Sequence, residues 1–371
     1  MRLLICAGGT GGGVYPALTV LRELNTNEID VLWVGGSGGM ETELVQREGI
    51  AFDSVPAAGV HGVGLKRLPG NIINLLKGMW KSYQILKAFK PDVLLFTGGY
   101  VAVPMAMIAT RYPSVLFVPD IEPGLALKLI TRFADKIAVP SKTSIPYFSK
   151  RDQKKISITG YPTKPELREM SKADARKALQ LTAEKPVVLV FGGSKGAQTI
   201  NRALIPLLPS LLQKYQVLHI TGDFNWEEVQ AQTLDLQKNP NYHVYPYLHE
   251  EMTAALKAAD LIVSRAGAST IGEYPILGTP SILVPYPFAW RYQKVNADYL
   301  ANQGAARILP DEQMPIQLEQ MIDELLSDPD QYLAMQQSLE TLKVPEAARN
   351  IAELLTDFRE PSGVGGREQS V

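Results

Sequence analysis

The sequence predicts an α/β chain of two Rossmann-like domains whose parallel sheets face a common cleft. Three observations carry that expectation. Short apolar runs alternate with helical stretches throughout, the pattern of a parallel sheet covered by helices. Two of those runs end in nearly the same phrase, Ala7-Gly8-Gly9-Thr10-Gly11-Gly12 and Phe191-Gly192-Gly193-Ser194-Lys195-Gly196. The length, 371 residues, suffices for two domains that each bury a proper core.

The elements follow in order. In the first half, strands are expected at residues 3–7, 31–34, 93–96, 114–118 and 136–139. A helix over 14–24 carries Pro16 near its start, where proline is tolerated. Two prolines in five residues mark 161–165 as a linker between a domain over 1–160 and another over 166–340. In the second half, strands are expected at 186–191, 217–220, 243–245, 261–263 and 281–284, with late helices over 317–326 and 331–358. The polar, Gly-rich tail over 360–371 is expected to be disordered.

Composition narrows the function. The apolar fraction is 46% and the net charge −1, which argues against a general nucleic-acid binder. The balance hides an asymmetry: residues 1–160 hold 18 basic and 12 acidic residues, the remainder 19 and 26. A basic first half suits an anionic partner. The single cysteine, Cys6, excludes a disulfide framework and fits a reducing compartment. Residues 3–6 are too short for a signal-peptide core, and no run reaches a spanning length, so a cytoplasmic location is expected. Residues 61–90 hold Lys66, Arg67, Lys77, Lys81, Lys87 and Lys90 and no acid, interleaved with Leu76 and Trp80 among other apolar residues. This reads as a membrane-surface segment, or as an amphipathic helix packed on the sheet with a solvated basic face.

The chemistry concentrates in residues 262–297. An apolar run leads into the small, Gly-bearing turn Ser264-Arg265-Ala266-Gly267-Ala268-Ser269 and then into a helix over 268–277. A helix start of this kind accepts an anion. Glu273, about a turn inside, cannot hold a phosphate but can accept the two hydroxyls of a ribose. After the next strand, Arg291, Gln293 and Asn296 supply polar side chains. The glycine phrases match neither the Walker pattern nor the dinucleotide G-x-G-x-x-G, so no cofactor is expected. His61, His219, His243 and His249 have no ligand spacing, and Asp328-Pro329-Asp330 is read as a helix N-cap, so no metal is expected.

These motifs resemble the nucleotide-sugar-binding segment of GT-B glycosyltransferases. They most resemble the MurG family, which adds N-acetylglucosamine to undecaprenyl-linked muramyl-pentapeptide. The resemblance spans about residues 2–356. It implies a UDP-N-acetylglucosamine donor held by Lys164, Gly193, Ser194, Lys195, Gly196, Ala268, Ser269, Thr270, Glu273, Arg291, Gln293 and Asn296. It implies an undecaprenyl-linked acceptor whose pyrophosphate meets Thr10, Gly11, Gly12, Gly13, Gly98, Gly99 and Tyr100. It also implies an anionic membrane surface on the inner face of the cell membrane, and a last helix, 341–358, that crosses back to the first domain. Four departures fall on the acceptor side or the cleft. Gly13 stands for the family's His, Val118-Pro119-Asp120-Ile121 for its His-Glu-Gln-Asn, Val101-Ala102-Val103 follows Tyr100, and Lys164 replaces an Arg. With the His missing, Asp120 and then Glu122 are the candidate bases, since they follow directly on the strand 114–118; a cap for the next helix is their other reading. A different glycolipid acceptor, a UDP-sugar 2-epimerase and a non-catalytic UDP-sugar binder remain as alternatives.

Overall fold

A computed structural model of the chain describes residues 1–8, 11–24, 28–39, 41–56, 68–193, 196–249, 251–288 and 292–358. The first sheet has seven parallel strands in the order β3-β2-β1-β4-β5-β6-β7. They are β1 (Arg2–Cys6), β2 (Asp30–Gly36), β3 (Ala51–Val55), β4 (Val93–Phe96), β5 (Ser114–Phe117), β6 (Lys136–Val139) and β7 (Ile156–Ile158). The second sheet has six, in the order β10-β9-β8-β11-β12-β13. These are β8 (Val187–Phe191), β9 (Gln216–Ile220), β10 (Tyr242–Tyr245), β11 (Leu261–Ser264), β12 (Ser281–Leu283) and β13 (Arg307–Ile308). In each sheet the first strand in sequence is flanked by the second and the fourth, so the order reverses beside β1 and beside β8. That reversal opens a crevice at the carboxyl ends of the strands, where α/β sheets bind ligands.

Central strands are apolar on both faces because helices cover both. Leu3, Leu4, Ile5 and Cys6 are fully buried, as are Val187 to Val190. Burial also pushes the Cys6 thiol well above its usual pKa, with the Glu41 carboxylate adding to the effect. Such a thiol stays protonated and unreactive.

Boundaries differ from expectation in instructive ways. The first helix runs Gly11–Glu23, so three glycines expected in a loop form its first turn. The last helical stretch is two helices, Pro329–Thr341 and Ala347–Thr356, separated where Pro345 cannot continue the first. Asp328 caps the former by accepting the Gln331 N–H at 3.0 Å, the capping role read from its sequence. The 161–165 segment is packed rather than loose. Tyr161 is 5% exposed, stacks edge-on to Phe117 and lies against Gly272 of the second unit. The tail from 359 onward lies outside the described residues. No helix among the described residues is long and apolar enough to cross a membrane.

Candidate functional site

The glycine turns at the ends of β1, β2 and β4 pack on one another. Thr97 Oγ donates to the Gly13 carbonyl at 2.6 Å. A Cβ at Gly13 would lie 3.0 Å from the Thr97 carbonyl oxygen and 3.2 Å from Gly98 Cα. Gly98 and Gly99 approach the Gly8 carbonyl equally closely, and Gly99 sits at φ +59°. The two loops can touch in this way only because these positions have no side chain. Gly11 lies beside the Tyr15 ring, Gly12 belongs to the same helical turn, and Tyr100 is 44% exposed at the rim. Thr10 lies outside the described residues.

Sequence reasoning missed the group at the centre of the β1–β2 turns. Glu41, fully buried, accepts the Gly36 N–H at 2.7 Å. A Cβ on Gly8 or Gly39 would collide with its carboxylate, and one on Gly35 with its side-chain stem. Part of the glycine cradle expected to surround a phosphate therefore surrounds a resident carboxylate. Gly35, Gly36 and Gly39 lie close to Glu41 in sequence and were the available signal; Gly8 comes to it only through strand pairing.

On the donor side, β11 ends in Ser264, whose hydroxyl is 2.5 Å from the Tyr274 hydroxyl and ties the strand to the helix Thr270–Leu277. The N–H groups of Thr270, Ile271 and Gly272 bond back to the carbonyls of Gly267, Ala268 and Ser269 at 3.1–3.2 Å. The N–H groups of Gly267, Ala268 and Ser269 have no partner among the described residues, beginning one residue before the expected helix start. Around Gly267 there is open space. These donors and the helix dipole together suit a phosphate. Thr270 Oγ donates to the Gly267 carbonyl at 2.7 Å and fixes the turn.

Glu273 is desolvated, which raises its pKa, while a Ser269 side-chain hydrogen bond and the nearby Lys164 ammonium lower it. Lys164 in turn sits 4.7 Å from the centroid of the Tyr15 ring, across the junction of the two units. Tyr15 was not singled out from sequence, yet burial, Tyr247 and Glu273 all raise its pKa. Gly193 and Gly196 flank the second glycine loop at φ +84° and +72°. Gly196 packs on the Thr221 carbonyl, which accepts from Asn201 Nδ2 at 2.9 Å. Asn201 is braced by His219, held neutral by burial with a pKa lowered to about 3. Gln293 Oε accepts the Tyr286 N–H at 2.8 Å. Ser194, Lys195 and Arg291 lie outside the described residues.

The two halves meet at Asp120. Asn296 donates from Nδ2 to the Asp120 carboxylate at 2.8 Å and to the Ala266 carbonyl at 3.3 Å, and accepts the Ile121 N–H on Oδ1 at 3.1 Å. Asn296 is fully buried, so it spans the cleft instead of projecting from its wall. Burial raises the Asp120 pKa and the Asn296 hydrogen bond lowers it. Glu122 is 3% exposed and its carboxylate takes the Lys128 ammonium at 3.0 Å. Gly124 caps the helix Leu125–Ile130 without any side-chain bond, so neither carboxylate serves as the cap. Tyr161 lies between the two sides: burial, then Glu273, then Asp120 hold its hydroxyl protonated. The Asp120 carboxylate is thus held against the donor half by Asn296, on the side that carries Glu273 and the N–H groups of its turn that have no partner among the described residues.

Known proteins share this fold. The model of the glycosyltransferase family 28 N-terminal domain matches residues 3–139, and that of the C-terminal domain matches residues 187–351. A Natranaerobius thermophilus protein is 35% identical over 367 residues, covering 96% of this chain and 99% of its own. It is named UDP-N-acetylglucosamine--N-acetylmuramyl-(pentapeptide) pyrophosphoryl-undecaprenol N-acetylglucosamine transferase. The crystal structure of Acinetobacter baumannii MurG superposes with a TM-score of 0.75 at 28% identity, covering 96% of this chain and 99% of that one. A UDP-GlcNAc 2-epimerase from Neisseria meningitidis, at 15% identity and a TM-score of 0.69 over 96% and 100% of the two chains, shares the fold alone. The chain has the GT-B architecture and belongs to glycosyltransferase family 28.

Proposed function

We propose that the protein transfers N-acetylglucosamine from UDP-N-acetylglucosamine to an undecaprenyl-pyrophosphoryl muramyl-pentapeptide, with inversion at the anomeric carbon. The observation that carries this reading is the Asp120 carboxylate held at the junction by Asn296 of the donor half, with the Glu273 helix and its preceding turn on that same half. Glu273 takes the ribose hydroxyls, and the Gly267–Ser269 N–H groups meet the diphosphate. Asp120 accepts the proton of the acceptor hydroxyl as that oxygen bonds to the anomeric carbon. The bond from that carbon to the diphosphate oxygen breaks, and UDP leaves with the electron pair, its charge met by backbone N–H groups and a helix dipole. The relatives named for this reaction support the choice of donor and acceptor.

The acceptor is a lipid, and the helix Leu68–Phe89 is suited to meet its membrane. Ile72, Ile73, Leu76, Trp80 and Tyr83 are 44–64% exposed on one side of it, while Ile85 and Leu86 are buried in the core. Lys77 and Lys87 supply positive charge nearby, whereas Lys81 is paired with Asp53 at 3.0 Å. Lys66 and Arg67 lie outside the described residues. This face fits the inner surface of a bacterial cell membrane, with the protein held peripherally.

The test is to incubate the protein with UDP-N-acetylglucosamine and the muramyl-pentapeptide lipid and to assay both disaccharide lipid and UDP. Wild type should form both in equal amounts. Asp120→Asn should lower turnover by about 10²–10⁴-fold while keeping UDP affinity. UDP binding without release of UDP from the sugar nucleotide would mark a non-catalytic binder. Release of UDP without a disaccharide lipid would point to another acceptor. Near-normal turnover in Asp120→Asn would remove Asp120 as the base.

A further inference from the structure

Asn296 stands on the donor half, on the helix Tyr292–Asn302, yet two of its three hydrogen bonds reach the turn that follows β5 in the other half. One engages the Ile121 backbone and the other the Asp120 side chain, so a single amide fixes both the path of the turn and the direction of the carboxyl. The third, to Ala266, ties the amide to the β11 turn whose next three N–H groups are unpartnered among the described residues. The Asp120 turn is therefore gripped at two points by the donor domain.

We propose that Asn296 is a positioning residue: it completes the base from the opposite domain, orienting the Asp120 carboxyl and keeping it ionised only while the two halves are together. This inference rests on the reading of Asp120 as the base. A hydrogen-bond donor to a carboxylate stabilises its charged form, and no cation among the described residues pairs with Asp120. Among the described residues, the other groups within electrostatic reach are Tyr161 on the connecting segment, Tyr292 on the Asn296 helix, Glu122 two residues on with its partner Lys128, and Glu273, which also acts on Tyr161. The tyrosine hydroxyls are held protonated by burial, and the Glu122 charge is offset by Lys128. Neither removes the burial cost on Asp120, so among the described residues the Asn296 N–H is the principal stabilising contact of its charge. Parting of the domains would break that contact and leave the base poorly oriented.

The sign of the expected pH effect follows. Asp120 works ionised, so removing the Asn296 donor raises the Asp120 pKa and moves the acid limb of the rate profile to higher pH. Turnover of wild type, Asn296→Ala, Asn296→Asp and Asp120→Asn should be measured against pH, with UDP affinity by calorimetry. Asn296→Ala should move the acid limb of kcat/KM for the acceptor up by about one to two pH units, the scale of one hydrogen bond to a charged group. UDP affinity, measured on the same variants, reports separately on the Asn296 tie to the Ala266 turn. Asn296→Asp has the same size and still accepts the Ile121 N–H, but it brings a second carboxylate to Asp120; its limb should move further. This variant keeps the test open if the alanine cavity prevents folding. A merely structural Asn296 would lower turnover evenly at all pH values, and an unmoved limb in both variants overturns the proposal. If Asp120→Asn itself retains near-normal turnover, the base assignment fails and the proposal falls with it. Loss of activity in Asp120→Asn with unmoved limbs in the Asn296 variants sinks the positioning role alone.

Discussion

Gly13 is the residue at which this chain departs most visibly from the family pattern, where His stands. Its helical backbone would accept a side chain, but the Thr97 carbonyl and Gly98 Cα at 3.0 and 3.2 Å leave almost no room for a Cβ. Gly13→His should therefore not restore a family feature. It should push the β1 and β4 turns apart, break the 2.6 Å Thr97 bond to the Gly13 carbonyl, and cost about 1–3 kcal/mol of stability, the range for overpacking. Denaturant midpoints and turnover measured on the same preparation check this. A His variant as stable as wild type, or a more active one, would show that the loops separate easily and that the position is open to function. Sequence gave notice of the missing His but not of what fills its surroundings. The β1 and β4 loops are zipped together by backbone contacts, and a glycine string does not reveal its own partners. The same holds for Glu41: its place among Gly8, Gly35 and Gly39 depends on the β1–β2 pairing, which is tertiary.

At the level of elements, legibility followed burial. The central strands β1, β4, β5, β8, β9, β11 and β12 read as apolar runs because they are covered on both faces. The strands that went unread, β3, β7 and β13, are edges, with a neighbour on one side only. β3 carries Asp53 and Ser54, β7 is three residues with Ile158 54% exposed, and β13 is two residues long. Their apolar pattern is too brief to stand out. The helix Leu68–Phe89 was legible as amphipathic, but sequence left open whether its apolar residues faced the core or a membrane. The structure divides them: Ile85 and Leu86 face inward, and the stripe Ile72, Leu76, Trp80 and Tyr83 faces out, with the Trp80 and Tyr83 rings stacked 5.9 Å apart. Leu76→Ser with Trp80→Ser should thus weaken partition to anionic vesicles strongly, at about 25 cal/mol per Å² of apolar area lost from the contact. Thermal stability should change little, because both side chains already lie in water. Unchanged vesicle binding in a sedimentation assay would remove this face from the membrane contact.

For the whole molecule, the decisive feature is that the chain crosses between its two sheets twice. The first crossing is the packed segment through Tyr161; the second brings the helix Ala347–Thr356 back onto the first sheet. Ile351, Ala352 and Leu355 are buried in one cluster with Leu3, Ile5 and Val14. Lys136 donates to the Leu354 carbonyl at 3.3 Å and pairs with Asp357 at 3.0 Å, and Asn350 Nδ2 donates to the Thr159 carbonyl at 3.1 Å. The crossings touch at Gly160, φ +83°, where a Cβ would strike Val344 and Ala347. The last helix is accordingly part of the first half's core despite lying at the far end of the sequence. Leu355→Ala should cost about 2–5 kcal/mol, the range for emptying a buried Leu site. The loss should appear in the first sheet: hydrogen exchange at β1 and β5 amides should quicken, while β8 and β11 keep their protection. UDP affinity should persist, because the donor turn draws on β11 and its helix. If exchange instead rises equally in both sheets, the two halves unfold as one unit, and the helix acts as a clamp on the whole molecule and not as a piece of the first half.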